Sequence, residues 1–525
     1  MDGLTGGEAV VAQLEREGVD IAFGIPGVHT LELYDALLDS DIDHVTTRHE
    51  QGAGFAADGY ARTTGRVGVC FTITGPGLTN VATAVGQAYS DSSPLLVIST
   101  TNATNEADRG KGHLHELKDQ QGVMESVSAR SYHVDRVADV PGVVADAFDY
   151  LDRNRPRPVH IQIPTDVLER AEPVDLIDRE PASPPGPDTA RVAEAADRLA
   201  DAERPLLVAG GGTADAATAV RAFVDETGIP TITTAAGKGV LPADHDCCVA
   251  TAMGHDPAEA FVATRDLVLA VGTELSAQDT GETEFPDDLI HVDIDPRNFG
   301  NNHETALGIV GDAGPTLDAL RERAAERGLT FDGQAEAADA RSDPLAVDAA
   351  DDRHHLLAVL RDALDDDAVV VNDMTKVSYA ARTAFPTGAP RSFLFPRGFG
   401  TLGFSPPAAF GAAIGGDRQV VSLVGDGGFL FTVGDLATAV QYDLDVPIVV
   451  CNDDSYDILE DVQRRQYGRT MATDIENPDF VALAESFGAA ARRIEFDAVA
   501  AELPDALAAA FERDRPTLIE VPVTF

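Results

Sequence analysis

Short apolar runs, rich in β-branched residues and without a polar face, recur along this chain between alanine-rich stretches of helical character. VGVCFTIT, PLLVIST, RPLLVAGG, DLVLAVG, AVVVND, QVVSLVG and VPIVVCN are examples. A strand that alternates apolar and polar residues can keep one wet face, whereas a strand that does not must be covered on both. Spaced by helices, such runs predict an α/β chain of parallel sheets wrapped on both sides. Two polar stretches interrupt the pattern, one rich in Pro, Asp and Glu from Glu172 to about Asp188, the other rich in Ala and Asp from about Gly333 to Ala350. At 525 residues the chain is too long for a single core. The expected organisation is three doubly wound domains, 1–171, 189–332 and 351–525.

The formal net charge of −49 excludes one class of partner and suggests a setting. Only four of the 39 basic residues are lysines, and the acidic residues are scattered rather than gathered in a tail. Self-repulsion on this scale opposes a compact state in dilute buffer, but molar salt screens it over about 3 Å. The balance predicts adaptation to high salt, as in halophiles, and argues against nucleic acid as a partner. No run approaches the ~18 to 20 apolar residues of a membrane span, and MDGLTGGEAV lacks the pattern of a signal peptide. A cytoplasmic location is the expectation. Cys70, Cys247, Cys248 and Cys451 have no metal-ligand spacing and read as small buried thiols.

The segment QVVSLVGDGGFLFTVGDLATAV reads as a buried strand, a glycine-rich turn and a helix. Such a turn suits a phosphate, because glycines admit the ligand and free N–H groups at the helix start face it. Asp426 lies inside the turn, where direct contact with an anion would be repulsive. A hard cation between the two resolves the conflict. A second strand, in VPIVVCNDDSYDIL, ends in oxygen-bearing side chains, with Asp453 placed 27 positions after Asp426. That interval holds a helix and a returning parallel strand, so both groups are expected at one edge of one sheet.

A Gly-Asp-Gly turn followed at this distance by an Asn-Asp pair resembles the metal motif of thiamine-diphosphate enzymes. The resemblance implies that Asp426, Asp453 and the carbonyl of Ser455 hold Mg²⁺, with Asn452 as the alternative to Asp453. It also implies cofactor contacts from Gly425, Gly427, Gly428, Tyr456 and Ile458. The family pattern has a second asparagine where this chain has Asp453, which makes the site more negative.

The segment RHEQGAGFAADGYAR resembles the family segment that carries the activating glutamate, here Glu50. A carboxylate at the pyrimidine N1′ promotes the imino tautomer that takes the proton from thiazolium C2. RGFGTLGFSPPAAFGAAIG resembles the segment that folds the cofactor into a V, which implies Leu402 as the wedge between the rings and the Gly400 carbonyl as acceptor for N4′. ITGPGLTNVATAVGQAYSDSSPLLVIS is similar to the pyrimidine-binding domain, and RPLLVAGGGT with HVDIDP to the central one. The resemblance thus spans almost the whole chain. It further implies at least a homodimer, dimeric or tetrameric, with Glu50 and the diphosphate site contributed by different subunits.

Two reactions stand within the resemblance, 2-oxo acid decarboxylation and acetolactate synthesis from two 2-oxo acids. A small 2-oxo acid is the expected substrate of either. The chain has no tryptophan past the metal motif, where the synthases usually carry one, and GTELSAQDTG replaces their arginine-containing FAD segment. IPGVHTLELY and RGKGHLHELKDQ are more similar to decarboxylases of guanidino 2-oxo acids. His29 and His115, with His113 a further candidate, are expected to offer protons over the thiazolium. The run Gly210 to Thr213 leaves FAD open without a second motif in its favour. A thiamine-diphosphate-binding homologue without turnover, with a regulatory or assembly role, and a plain nucleotide binder are the readings from other classes.

Overall fold

The computed structural model describes residues 3–107, 109–340 and 351–524. Three six-stranded sheets account for its strands, and every strand pair in them is parallel. The first holds β1 (Ile21–Gly24), β2 (Asp43–Thr46), β3 (Gly68–Thr72), β4 (Leu95–Thr101), β5 (Arg130–His133) and β6 (Val159–Pro164), in the order β2-β1-β3-β4-β6-β5. The second holds β7 (Pro205–Ala209), β8 (Thr231–Thr233), β9 (Cys248–Ala250), β10 (Leu267–Val271), β11 (Asp288–Asp293) and β12 (Leu307–Val310), in the order β12-β11-β10-β7-β8-β9. The third holds β13 (Val369–Asn372), β14 (Phe393–Leu394), β15 (Val420–Gly425), β16 (Pro447–Asn452), β17 (Ala490–Arg493) and β18 (Thr517–Pro522), in the order β14-β13-β15-β16-β18-β17. The expected α/β class of three doubly wound parallel sheets is the fold observed.

Alternate residues of one strand enter different cores, which is why these strands have no polar face. In β15 and β16, Val421, Leu423, Val449 and Cys451 pack on one side, and Val420, Val424, Ile448 and Val450 on the other. Each such fully buried side chain contributes about 1.5–3 kcal/mol. The four cysteines are buried, and among the described residues none of them forms a disulfide. Among the described residues no helix is long and apolar enough to cross a membrane.

The stretch after Glu172 is extended and held to the first sheet's unit. Gln13 exchanges two hydrogen bonds of 2.9 Å with the Ile177 backbone, and Arg179 pairs with Glu17 at 3.0 Å. The second polar stretch is helical over Gly333–Ala340, with Ala337 buried against the second sheet. The rest of it, 341–350, lies outside the described residues.

The first and third units meet through two helices, Glu50–Thr64 and Ser405–Ile414. Gly59 faces the Ala408 carbonyl and Gly411 the Ala56 carbonyl so closely that a Cβ at either would collide with backbone. Phe55 joins the core of the third unit and meets Phe404 edge-on at 5.4 Å. This contact fixes the helix that begins with Glu50 against the sheet that carries Asp426.

Candidate functional site

In an open parallel sheet, ligands bind outside the carboxyl ends of the strands where the strand order reverses. In the first sheet that point lies between β1 and β3. Glu50 opens its helix there, half-buried, and its Oε2 accepts from Asn80 Nδ2 at 2.9 Å. The turn after β3 passes close by, and a Cβ on Gly77 would lie 3.3 Å from Glu50 Oε1. Gln120 pins that turn, its Oε1 accepting from Thr74 Oγ1 at 2.7 Å and Gly75 N at 3.1 Å. Burial and the nearby Glu50 carboxylate push the Cys70 thiol up, away from the reactive thiolate.

His29 follows β1, and His115 lies 86 positions later on a loop at left-handed φ. The fold brings their rings to 5.1 Å, and the Nδ1 atom of each is buried without a partner. Burial, and then the neighbouring His115, lower the pKa of His29, so its imidazole is neutral over a wider pH range. His113 instead turns to Glu106, 3.5 Å away. Glu116 shapes this loop by accepting from the N–H groups of Gly110, Gly112 and His113.

In the third sheet the order reverses between β13 and β15. Asp426 is the first residue of the helix after β15 and is buried. Its Oδ1 accepts from Gly427 N at 2.8 Å and its Oδ2 from Asn477 Nδ2 at 2.6 Å. Gly425 pairs in register with Cys451, so β16 delivers Asn452 and Asp453 to the same edge. Burial, reinforced by Asp426 and Asp457, raises the pKa of Asp453 to about 7. Asn452 is occupied otherwise, donating to Glu520 at 2.8 Å and accepting from Asn477 at 3.0 Å. Gly427 leaves room for Tyr456, whose ring a Cβ there would meet at 2.6 Å. Ser455 N donates to Asp453 at 3.1 Å, and Ile458 lies half-buried on the helix Asp457–Tyr467. Lys376 pairs with Asp457 and Asp461 of that helix at 2.5 and 2.7 Å.

A buried carboxylate, Asp426, that raises the cost of charge on half-buried Asp453 suits a small divalent cation, and carboxylate and carbonyl oxygens are the donors Mg²⁺ takes. The residues present therefore fit the ion. The helix start at Asp426 lies beside them, where the N–H groups beyond Gly427 would be the donors for a diphosphate.

Gly400 and Leu402 lie on the loop ahead of the helix Ser405–Ile414, Gly400 at φ +71° and Leu402 half-buried. Asp373, at the end of β13, ties this loop down by accepting from Gly403 N at 3.2 Å and Ser405 N at 2.9 Å. Burial raises its pKa to about 6. Asp373, Asn477 and Asn80 belong to the site although the sequence reading does not single them out. Asp373 alone carried a local signal, an acid at the carboxyl end of the apolar run AVVVND. In the second sheet, the N–H groups of Gly210, Gly212 and Thr213 bond to the carbonyls of Val271, Gly272 and Gly210. That glycine run therefore spends three of its donors on packing.

Comparison with known proteins agrees with this division into three. Residues 4–123 match the thiamine pyrophosphate enzyme N-terminal TPP binding domain, 192–320 the central domain and 373–521 the C-terminal TPP binding domain. A probable 2-ketoarginine decarboxylase of Pseudomonas aeruginosa is 43% identical over 99% of this chain and 94% of its own length. A probable acetolactate synthase large subunit of Methanocaldococcus jannaschii is 33% identical over 94% of this chain and 88% of its own. The acetolactate synthase isozyme 1 large subunit of Escherichia coli is 32% identical over 92% and 88%. With three domains matched in order and relatives aligned along nearly its full length, the chain belongs to the thiamine pyrophosphate enzyme family.

Proposed function

We propose that this protein is a thiamine-diphosphate- and Mg²⁺-dependent decarboxylase of a 2-oxo acid with a cationic, guanidino-type side chain, yielding CO₂ and an aldehyde. The observation that carries the reading is the histidine pair beside the Glu50 turn, 5.1 Å apart with both Nδ1 atoms unpartnered. A decarboxylase must deliver a proton where a synthase must seat a second oxo acid, and two imidazoles are suited to the first task. The 2-ketoarginine decarboxylase relative supports the substrate class.

When bound, thiamine diphosphate supplies a carbon nucleophile and an electron sink for the carbon that loses CO₂. Asp426, Asp453 and the Ser455 carbonyl would hold Mg²⁺, and the Gly425–Gly428 turn would receive the diphosphate. Tyr456 and Ile458 flank it. Glu50 holds the proton at the pyrimidine N1′, with Asn80 orienting its carboxylate. Leu402 would hold the cofactor from the loop after Gly400, whose carbonyl would offer it an acceptor. His29 and His115 bind the oxo acid oxygen and return the final proton.

The site is completed by a second copy of the chain. Around the first sheet's site Val28, Leu31 and Leu114 are 56–68% exposed, and around the third sheet's site Phe431, Leu459 and Tyr467 are 54–70% exposed. These rims are apolar surfaces that a homodimer covers. The synthase relatives keep acetolactate synthesis as the second reading.

Turnover of pyruvate, branched, aromatic and guanidino 2-oxo acids, measured at molar salt with Mg²⁺ and thiamine diphosphate, separates the readings. CO₂ with a guanidino aldehyde from 2-ketoarginine is the expected result. Acetolactate from pyruvate as the main product would overturn it, and lack of turnover with every acid would point to a binding homologue.

A further inference from the structure

We propose that Gln87 is a positioning residue for the cofactor wedge, fixing from the first unit the loop of the third unit that carries Leu402. The inference rests on the assignment of Leu402 as the wedge.

Gln87 is fully buried on the helix Pro76–Asp91. Its Oε1 accepts from Thr401 twice, from the N–H at 3.1 Å and from Oγ1 at 2.8 Å. Its Nε2 donates to Asp91 Oδ2 at 2.6 Å. Asp91 in turn accepts from Arg62 at 3.1 Å and from Gly398 N at 3.4 Å. One helix turn thus holds the loop at 398 and 401, and Gly86 lets the Phe399 ring lie against the helix, 2.8 Å from where a Cβ would be.

On the other side of Leu402 the anchors come from the third unit. Asp373 receives the N–H groups of Gly403 and Ser405, and Thr432 Oγ1 donates to the Gly403 carbonyl at 2.9 Å. The peptide groups before and after Leu402 are therefore held by different units, which leaves its side chain a narrow range of settings. The same Pro76–Asp91 helix holds Glu50 through Asn80, seven residues and about two turns before Gln87. One helix sets both the activating carboxylate and the wedge loop of its chain.

The side chain at position 87 must accept from Thr401 and donate to Asp91 at once, which an amide does at any pH and a carboxyl group only while it holds a proton. A glutamate there keeps the acceptors but faces Asp91, so it needs a shared proton. The charged and titratable groups around that pair are Asp91, Arg62, Asp58 and Arg397.

The test uses full-length protein loaded with thiamine diphosphate and Mg²⁺, 2-ketoarginine as substrate, and the near-ultraviolet circular dichroism of the bound cofactor without substrate. Gln87→Leu is expected to alter the cofactor signal and to lower kcat about 10- to 100-fold, the range for a small misplacement of reacting groups. Its KM should move less than about 3-fold, since substrate contacts are untouched. Gln87→Glu should regain the wild-type signal at pH 5.5 and lose it reversibly by pH 8 in the same sample, which keeps the test decisive if the leucine variant folds poorly. A wild-type signal and kcat in Gln87→Leu, or a pH-independent signal in Gln87→Glu, overturns the proposal. Leu402→Ala separates the premise: if it leaves the signal unchanged, the wedge assignment fails and takes this proposal with it. If Leu402→Ala changes the signal and Gln87→Leu does not, only the role of Gln87 is lost.

Discussion

The first and third sheets share one strand order and place a Gly-X-Gly turn after their third strand, yet the residue between the glycines differs in kind. After β3 the turn is Gly75-Pro76-Gly77, and after β15 it is Gly425-Asp426-Gly427. Proline brings neither charge nor N–H, and the turn stands beside Glu50, which arrives from the neighbouring helix. Aspartate brings a buried carboxylate that raises the cost of charge on Asp453, delivered by the next strand. On the proposed assignment, one backbone frame would serve a neutral ring in one unit and a diphosphate held through a metal ion in the other. On that assignment the side chain inside the turn would distinguish the two, in keeping with function residing in sites grafted onto folds.

The largest expected effects test that division of labour directly. Glu50→Gln should lower kcat by about 10²- to 10⁴-fold while the cofactor still binds, because it removes proton handling alone. Asp426→Ala should weaken thiamine diphosphate binding at least about 100-fold, beyond the cost of losing an outer partner of a metal ligand. Titration of the cofactor by fluorescence quenching separates the two. Equal loss of binding in both variants would break the comparison.

A smaller effect sharpens it at the glycines. Gly77→Ala puts a methyl 2.6 Å from Ile73 Cγ1 and 3.3 Å from Glu50 Oε1, so kcat should fall about 10-fold with binding intact. Gly427→Ala presses on the Tyr456 ring and should instead weaken metal and cofactor binding about 10-fold. Saturation curves in Mg²⁺ for both variants decide whether the two turns respond in these different ways.

What the sequence made legible follows from what is local. Runs such as QVVSLVG announce central strands because both faces are buried. The edge strands β5 and β17, RSYH and AARR, carry no apolar run because their side chains stay partly exposed. The helix Gly333–Ala340 read as a polar boundary because only Gly333 and Ala337 are buried along it. The Asp426–Asp453 pair was visible as two strand ends at a fixed interval. His29 with His115, and Glu50 with the wedge loop, required the resemblance, since nothing in their spacing marks them. Asn477 and Gln87 act through side-chain hydrogen bonds that reach across 51 and 314 positions, which leave no periodic trace.

The two like sheets also differ in how the middle unit attaches to them, and this gives the smallest expected effect. Arg155 beside the first sheet pairs with Glu274 at 2.9 Å, a contact between charges. The third unit receives in addition a buried lysine, Lys238, whose Nζ donates to the Phe385 carbonyl at 2.9 Å and to Thr251 Oγ1 at 2.8 Å. Burial lowers its pKa from the usual lysine range to about 7, against a weak opposing pull from Cys248 and with Arg382 adding to the shift. Between about pH 7 and the ordinary lysine value, the unfolded chain holds a proton at this position that the native chain does not. The stability gained from the neutral amine is therefore complete above the unfolded pKa and is lost as pH falls toward 7. Lys238→Met removes that dependence, so the wild type should gain a few degrees in melting temperature on the variant from pH 7 to pH 9. Thermal melts at constant high salt measure the difference. A gap that stays constant or closes as pH rises would show that the amine is charged in the native state, adding to the ion pairs, such as Arg391 with Asp215 at 2.8 Å, that already attach the third unit to the middle one.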